Sequence, residues 1–129
     1  MDKQKYIEER NEFSGFNKHN GIEIVAYDAD SCTVVGKLSE RTMNPLEITH
    51  GGFVYSLCDV AAGVAACCDG HPGVTLSSSM HFLHPSKGTM LRAEGKVIKR
   101  GRTVSVVEAS VYDDQDCLTA YGTFEIYSL

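Results

Sequence analysis

The alternation of hydrophobic and polar residues predicts one long helix near the middle of the chain, over positions 49–68. This stretch contains no proline and no cluster of turn residues. Its apolar residues recur three and four positions apart, the spacing of one helical face: Phe53, Leu57, Val60, Ala61, Val64 and Cys68. A second face carries small residues, namely Gly52, Ser56, Ala62, Gly63 and Ala66. We therefore expect a helix that neighbouring structure covers on nearly all sides.

One charged residue, Asp59, interrupts the small-residue face of this helix. Burying a carboxylate costs free energy unless a partner compensates for it. Charged groups at such positions are often functional. Asp59 is therefore the first candidate for a functional residue, and a hydrogen bond to a nearby hydroxyl such as Ser56 is the structural alternative.

Period-two alternation predicts six strands around this helix. They are expected at 21–27, 32–38, 74–83, 89–99, 103–112 and 117–127. A short charged helix is expected at 2–13, with Tyr6, Ile7 and Phe13 as anchors, and 14–20 is expected to be a loop. In the strand at 74–83, one side is expected to carry Val74, Leu76, Met80 and Phe82, and the other Thr75, Ser77, Ser79 and His81.

The order of these elements predicts the fold class. The later strands are joined by short turns, so we expect them to be antiparallel neighbours. One long helix against one long curved antiparallel sheet is an α+β arrangement. A chain of 129 residues without linkers or repeats is expected to form a single domain over residues 1–129.

Composition narrows the class of protein and of partner. The formal net charge is -5, which gives no basic surface for nucleic acid or for an anionic membrane. No apolar run is long enough to span a membrane, and the first residues lack the apolar region of a signal peptide. The five cysteines form no C-x-x-C pair and are expected to be reduced thiols of a cytoplasmic protein.

The segment from Asn44 to Asp59 carries the pattern N-P-x4-H-G-G-x4-L-x-D. It resembles the hotdog-fold acyl-CoA thioesterases of the PaaI-like (phenylacetate-degradation) family. The segments 73–75, 82–85 and 99–103 resemble further parts of that family, so the resemblance extends from Gly21 to the C-terminus. It implies the hotdog fold, in which a curved antiparallel sheet wraps a long central helix.

One position departs from the family pattern. Many relatives carry glycine three residues before the histidine, where this chain has Glu47. The glutamate is expected to change the loop conformation or to bring a carboxylate to the mouth of the pocket. The acyl-group preference of the relatives therefore does not transfer to this chain.

The start of the central helix is suited to polarise a thioester carbonyl. The first N–H groups of a helix have no internal partner and lie at the positive end of its dipole. Gly51 and Gly52 have no side chains to block access, so an oxygen gaining negative charge can bind there. The resemblance implies that the Gly51 amide has this role. A tight turn without catalytic function is the alternative.

Asp59 is the candidate nucleophile or general base, since a carboxylate can activate water or attack to form an anhydride. Gly51 and Asp59 are eight residues apart, which is about 12 Å along one helix. Both groups must contact one carbonyl, so a single subunit is not expected to assemble the site. Two antiparallel copies of the helix can do so across a two-fold axis. We therefore expect an obligate homodimer, and the resemblance implies that dimers can pair into a tetramer.

The remaining candidates have weaker signals. Asn44 is expected to orient water or substrate, or only to form the turn before Pro45. His50 is expected to position the loop, and Thr75 to hold Asp59 or a water through its hydroxyl. Candidate contacts to the CoA moiety are Gly52, His84, Lys87, Arg100, Gly101 and Arg102, the arginines through charge-assisted bonds to phosphate.

These residues predict hydrolysis of acyl- or aryl-CoA thioesters to the free acid and CoA, with CoA as part of the substrate and with no cofactor. The histidines show no metal-ligand spacing, and no G-x-S-x-G motif of a serine hydrolase is present. Two alternatives stay open. One is an acyl-CoA hydratase or dehydratase on the same fold, which needs His50 paired with Asp59. The other is a non-catalytic acyl-CoA-binding protein.

Overall fold

A computed structural model describes residues 2–129. The helices are α1 (Lys3–Phe13), α2 (Gly15–His19) and α3 (Gly51–Cys67). The strands are β1 (Ile22–Asp28), β2 (Ser31–Lys37), β3 (Gly73–Phe82), β4 (Met90–Lys99), β5 (Val104–Tyr112) and β6 (Leu118–Ser128). The segment before α3 contains one 3-10 turn, Glu40–Thr42. The six predicted strands and the long helix are confirmed to within a few residues.

The six strands form one open antiparallel sheet in the order β1-β2-β4-β5-β6-β3. The predicted pairing of β4, β5 and β6 with their chain neighbours is confirmed. The expectation that β3 pairs with β4 is wrong, because β3 pairs with β6 at the far edge of the sheet. The chain leaves α3 on that side, so the segment 83–89 must return across the sheet to begin β4.

The core lies between α3 and the concave face of the sheet. Leu57, Cys58 and Ala61 of α3 are fully buried against inward-facing side chains of the sheet. The helix approaches β4 closely, because a β-carbon on Gly95 would lie 2.5 Å from the carbonyl oxygen of Ala61. Glycine at position 95 therefore determines how near the helix backbone lies to the sheet. The α+β arrangement predicted from the sequence is confirmed.

The opposite face of α3 is left open within the chain. Gly52 and Asp59 are exposed there, and Ser56 and Gly63 are only partly buried. Within one chain α3 is therefore covered on only part of its surface, and coverage on nearly all sides stays a prediction that requires a second chain on this face. The physical reason is that one sheet covers only one face of a helix, and no other element among residues 2–129 packs on this face.

The N-terminal segment differs in part from the sequence prediction. Asp2 caps α1 by accepting hydrogen bonds from the amides of Gln4 and Lys5, and the predicted anchors Tyr6 and Ile7 are buried. The third predicted anchor is wrong, since Phe13 is 84% exposed. The predicted loop at 14–20 contains α2, whose five residues are too few to give a periodic signal.

The two edge strands of the sheet, β1 and β3, differ in whether another element of the chain contacts their outer side. At β1, the side chain of Asn11 donates to the carbonyl of Ile24 at 3.0 Å and accepts from its amide at 2.9 Å. Helix α1 thereby occupies hydrogen-bonding groups of that edge. Among residues 2–129 no element pairs with the outer side of β3. An uncovered edge strand offers a row of backbone groups to another chain.

The side-chain alternation predicted for β3 is wrong, because a register shift lies between Thr75 and Ser77. A bulge adds one residue to a strand and reverses the sides of those beyond it. Thr75 consequently shares the helix side with Met80 and Phe82, while Val74 and Leu76 are about half exposed. The edge strand therefore carries apolar side chains that this chain does not cover.

Candidate active site

The first turn of α3 leaves one backbone amide free. His50 caps the helix, and its Nδ1 accepts a hydrogen bond from the Gly52 amide at 2.8 Å. The amides of Phe53 and Val54 donate to the carbonyl of His50. Among residues 2–129 the Gly51 amide has no acceptor. Of the two predicted glycines, Gly51 therefore has the N–H available at the positive end of the helix.

His50 and Gly52 depend on each other. A β-carbon at position 52 would lie 2.9 Å from Nδ1 of His50, so the capping contact requires glycine. A nitrogen that accepts a hydrogen bond carries no proton, so the neutral ring is protonated at Nε2. The contact gives His50 a capping function in the loop. Catalytic or substrate-binding roles for His50 and Gly52 stay predictions.

Asn44 organises the loop before α3. Its Oδ1 accepts hydrogen bonds from the amides of Leu46 at 2.9 Å and of Ile48 at 3.3 Å. The backbone N–H of Asn44 donates to the backbone carbonyl of Ile48 at 2.8 Å. This is the turn chemistry that the sequence offers as the alternative for an asparagine before proline. A catalytic role for Asn44 stays a prediction.

Glu47 keeps the loop in the conformation that glycine would favour. Its φ is +60°, in the left-handed region that costs a residue with a β-carbon about 1–2 kcal/mol. The side chain is exposed. The departure from the family pattern is therefore tolerated at the cost of backbone strain in the loop.

Replacing Glu47 by glycine is expected to stabilise the protein. The strain removed exceeds the extra chain entropy that glycine loses on folding, about 0.5–1 kcal/mol, so a net gain of about 0.5–1 kcal/mol follows. Urea unfolding of Glu47→Gly measures this change, with Leu46→Gly as the matched control. Leu46 does not have a positive φ, so its glycine variant should be destabilised. Equal losses in both variants would contradict the prediction.

Asp59 and Thr75 form a hydrogen-bonded pair on the open face of α3. The Thr75 hydroxyl donates to Oδ1 of Asp59 at 2.6 Å. Within residues 2–129 the second carboxylate oxygen has no hydrogen-bond donor. The carboxylate is therefore oriented by one hydroxyl and has a free oxygen directed away from it. The hydroxyl contact expected for Thr75 is present, and the catalytic roles of both residues stay predictions.

The cysteine beside Asp59 is not available as a nucleophile. Burial raises the pKa of the Cys58 thiol to about 12, and the charge of Asp59 acts in the same direction. The reactive form of cysteine is the thiolate, which is scarcely populated at neutral pH with such a pKa. The chemistry of this face therefore rests on the carboxylate.

A cavity of about 800 Å³ opens beside Asp59 and Thr75. Its walls are α1 on one side, and α3 with the start of β3 on the other. The sequence predicted the helix itself but not that it forms a wall of this cavity, because its residues are strongly charged and carry little helical periodicity. The cavity lies within the range of about 300–1,000 Å³ typical of ligand pockets.

Gly51 and Asp59 lie in the same unbroken helix. Eight residues of α-helix separate them by about 12 Å. One chain therefore does not bring the free amide and the carboxylate to a single carbonyl group. The Asp59 side of this face is flanked by β3, the uncovered edge of the sheet.

Arg100 has a different environment from the one the sequence suggests. Its guanidinium contacts Asp30 and Asp69 and donates to the carbonyl of Ala66 at 2.8 Å. These bonds cap the C-terminal end of α3, where a cation is favourable. Asp30 raises the pKa of Arg100 further. The geometry gives Arg100 a structural function, and its contact with CoA stays a prediction.

The other residues predicted to contact CoA differ from Arg100 in their surroundings. Arg102 is exposed and makes no hydrogen bond or ion pair with any residue in 2–129. Gly101 is required by its turn, since a β-carbon there would lie 2.0 Å from the carbonyl oxygen of Val104. His84 and Lys87 are exposed as well. Arg102 is therefore the arginine of this turn whose charge is free for a ligand.

Neither a metal cluster nor a membrane helix is found in the described part of the chain. Residues 2–129 contain no group of three or more histidine, cysteine or acidic side chains arranged to hold a metal ion. No helix of these residues has the length and hydrophobicity needed to cross a membrane.

Sequence comparison identifies the family. The profile of the thioesterase superfamily matches residues 46–120, more than half of the chain. A protein of Saccharolobus solfataricus, provisionally named an esterase, is 36% identical over 111 residues, covering 83% of this chain and 74% of the relative. The acyl-coenzyme A thioesterase PaaI of Escherichia coli is 27% identical over 96 residues, covering 74% and 69% of the two chains.

Structural comparison agrees with this result. The structure of E. coli PaaI superposes with a TM-score of 0.91 and 22% identity over 98% of this chain and 92% of that one, which establishes the fold. A thioesterase of Streptococcus pneumoniae with coenzyme A has a TM-score of 0.79 and 27% identity, covering 84% and 85%. Structures of that protein carry alanine in place of an aspartate and of a threonine sixteen positions later. This chain belongs to the thioesterase superfamily and is a hotdog-fold thioesterase related to PaaI.

Proposed function

We propose that this protein hydrolyses acyl- or aryl-CoA thioesters to the free acid and CoA, with Asp59 as the reacting carboxylate. The observation that carries the proposal is the Asp59–Thr75 pair on the open face of α3, beside a ligand-sized cavity. The pneumococcal thioesterase that binds coenzyme A has been altered at an aspartate and a threonine with the same spacing of sixteen residues. Those substitutions support the choice of this pair.

The proposed chemistry divides between two groups. The Gly51 N–H donates to the thioester oxygen as negative charge develops there. Asp59 accepts a proton from water as the water attacks the carbonyl carbon, and the C–S bond then breaks to release CoA as the thiol after protonation. Direct attack by Asp59 would instead form an anhydride that water later opens. Thr75 orients the carboxylate in both routes.

The proposed active form is a homodimer. Two α3 helices related by a two-fold axis bring Gly51 of one chain to Asp59 of the other. The open face of α3 and the uncovered edge of β3, with Val74 and Leu76 about half exposed, support this arrangement. A second chain on this face would bury both. Pairing of dimers into a tetramer and a cytoplasmic location stay predictions.

The CoA phosphates are proposed to contact Arg102, because its guanidinium has no acidic partner among residues 2–129. His84 and Lys87 are further candidates with exposed side chains. Arg100 is less suited, since two aspartates already neutralise it. Charge-assisted bonds to phosphate are stronger than neutral ones, so one free arginine makes a useful contribution.

The hydratase or dehydratase alternative is weakened by the state of His50. That chemistry needs a ring nitrogen that can accept a proton from the substrate. Nδ1 of His50 is occupied by the Gly52 amide, and Nε2 of the neutral ring then carries the proton. In this arrangement neither ring nitrogen offers a free lone pair to a substrate proton.

A panel of acyl- and aryl-CoA thioesters with detection of the released thiol tests the proposed function. We expect hydrolysis of at least one class, with kcat/KM within the usual range for enzymes of about 10⁴ M⁻¹ s⁻¹ or more. Titration calorimetry with the same compounds is the companion measurement. Binding without thiol release would favour the non-catalytic acyl-CoA-binding alternative, and neither binding nor release would reject CoA thioesters as ligands.

A further inference from the structure

The cavity beside Asp59 lies between α1 and the C-terminal half of α3, and residues of both helices line it. Helix α1 packs on β1 and α2, and the space between it and the C-terminal half of α3 is left open. Tyr6, Arg10 and Phe13 of α1 line this space. Phe13 lines this open space instead of packing in the core, which accounts for its high exposure. The gap therefore extends from the proposed reacting carboxylate toward the end of α3.

Gly63 forms part of the floor of this cavity. It is one turn beyond Asp59 on the same face of α3. A β-carbon at position 63 would meet nothing within 4 Å, so close packing inside the chain does not explain the glycine. Glycine within a helix is also unfavourable relative to alanine. Because position 63 has no side chain, the path along the cavity is unobstructed there.

The wall that α3 and the sheet contribute to the cavity is largely apolar and includes Val60, Val64, Ile24 and Ile126, whereas α1 and α2 contribute the polar residues Glu9, Arg10 and Asn17. Burial raises the pKa of the Cys67 thiol at the far end, although the positive charge of Arg10 opposes this. Cys67 is therefore an uncharged, mostly apolar group at neutral pH. An aliphatic chain packs favourably against the apolar wall that α3 and the sheet form.

Building on the proposed function, we propose that the acyl chain of the substrate lies between α1 and α3 and that Gly63 sets the length accepted. From Asp59 to Cys67 the helix rises about 12 Å. With about 1.3 Å for each carbon of an extended chain, from a bond length of about 1.5 Å, this is room for about nine carbons. From Asp59 to Gly63 the path of about 6 Å takes about five. The substrate class is therefore a medium-length aliphatic acyl-CoA.

The test compares butyryl-CoA and decanoyl-CoA in the wild type, Gly63→Ala and Gly63→Leu. A β-carbon at position 63 meets nothing within 4 Å, and a leucine side chain there would occupy part of the cavity, so kcat/KM for decanoyl-CoA should fall at least about tenfold. For butyryl-CoA it should change less than about threefold, and the alanine variant should lie between. Gly15→Leu is the matched control, because a β-carbon there also meets nothing within 4 Å and Gly15 does not line the cavity.

Several outcomes would overturn this inference. One is an equal loss on both substrates, with or without loss of the dimer in light scattering, since Gly63 would then serve an interface rather than the acyl chain. Another is unchanged turnover of decanoyl-CoA by the leucine variant. A wild type that hydrolyses butyryl-CoA but not decanoyl-CoA would also contradict it. A wild type that releases no thiol from any CoA thioester would instead remove the proposed function itself.

Discussion

Asp59→Asn is expected to lower kcat for thioester hydrolysis by about 10²–10⁴-fold. An amide neither accepts the proton of an attacking water nor attacks a carbonyl itself. The amide oxygen still accepts the Thr75 hydroxyl, which now contacts Asp59 at 2.6 Å, so the side chain should keep its orientation. Steady-state kinetics with the best substrate of the CoA panel measures the effect, and KM should change little because the shape of the site is retained.

The control for this variant is Asp116→Asn. Asp116 is exposed and pairs with Arg92 at the end of the sheet, far along the chain from the proposed site. Its variant should retain wild-type kcat, and both variants should unfold within a few degrees of the wild type. Asp59→Asn with more than about a third of the wild-type kcat would remove Asp59 from the mechanism. Unfolding at a much lower temperature would instead assign the carboxylate to stability.

Two inactive variants are expected to restore activity when they are combined. Gly51→Pro removes the backbone N–H proposed to bind the thioester oxygen, which should cost about 10²–10³-fold in kcat. Position 51 is the first residue of α3, where proline is well tolerated. The preceding His50 has φ -61° and ψ 133°, a conformation that a following proline favours. The helix should therefore form normally in this variant.

Gly51→Pro and Asp59→Asn are unfolded together in equal amounts and refolded. Half of the resulting dimers contain one chain of each kind. In such a dimer one site has an intact Gly51 from one chain and an intact Asp59 from the other, and the second site has neither. We therefore expect about a quarter of the wild-type activity. Each variant refolded alone is the control.

The absence of restored activity would contradict the shared site. If Gly51 and Asp59 acted within one chain, every chain in the mixture would lack one group. Light scattering on the refolded mixture distinguishes this result from a failure to exchange subunits, because variants tagged to different masses report the mixed dimer directly. An active monomer of the wild type would reject the dimer as well.

The long helix and the six strands were predictable because local periodicity indicates each of them, whereas the five-residue α2 was not. The spacing of Phe53, Leu57 and Val64 identifies α3, and alternation identifies every strand. The helix start was visible in the H-G-G segment. What was not visible is non-local: β3 pairs with β6 instead of β4, and neither strand carries a sequence signal for its partner.

The candidate site, like the fold, was predictable from the sequence only in part. The resemblance of 44–59 to thioesterases selected Asp59, Gly51 and Thr75 as candidates, and the structure contains the Asp59–Thr75 hydrogen bond. The resemblance did not reveal that Asp30 and Asp69 neutralise Arg100, because these residues are distant in sequence. The bulge that turns Thr75 toward α3 also broke the expected alternation.

The sequence by itself determined the family, the α+β class and the choice of Asp59 as the candidate carboxylate, because periodicity and a contiguous motif are local properties of the chain. Only the tertiary structure decided that Asp59 is exposed on an open face rather than buried, and that α1 forms the far wall of a cavity beside it. Both depend on which elements pack together and which surfaces stay uncovered. A helix pattern states which residues share a face, whereas the arrangement of all elements decides what covers that face.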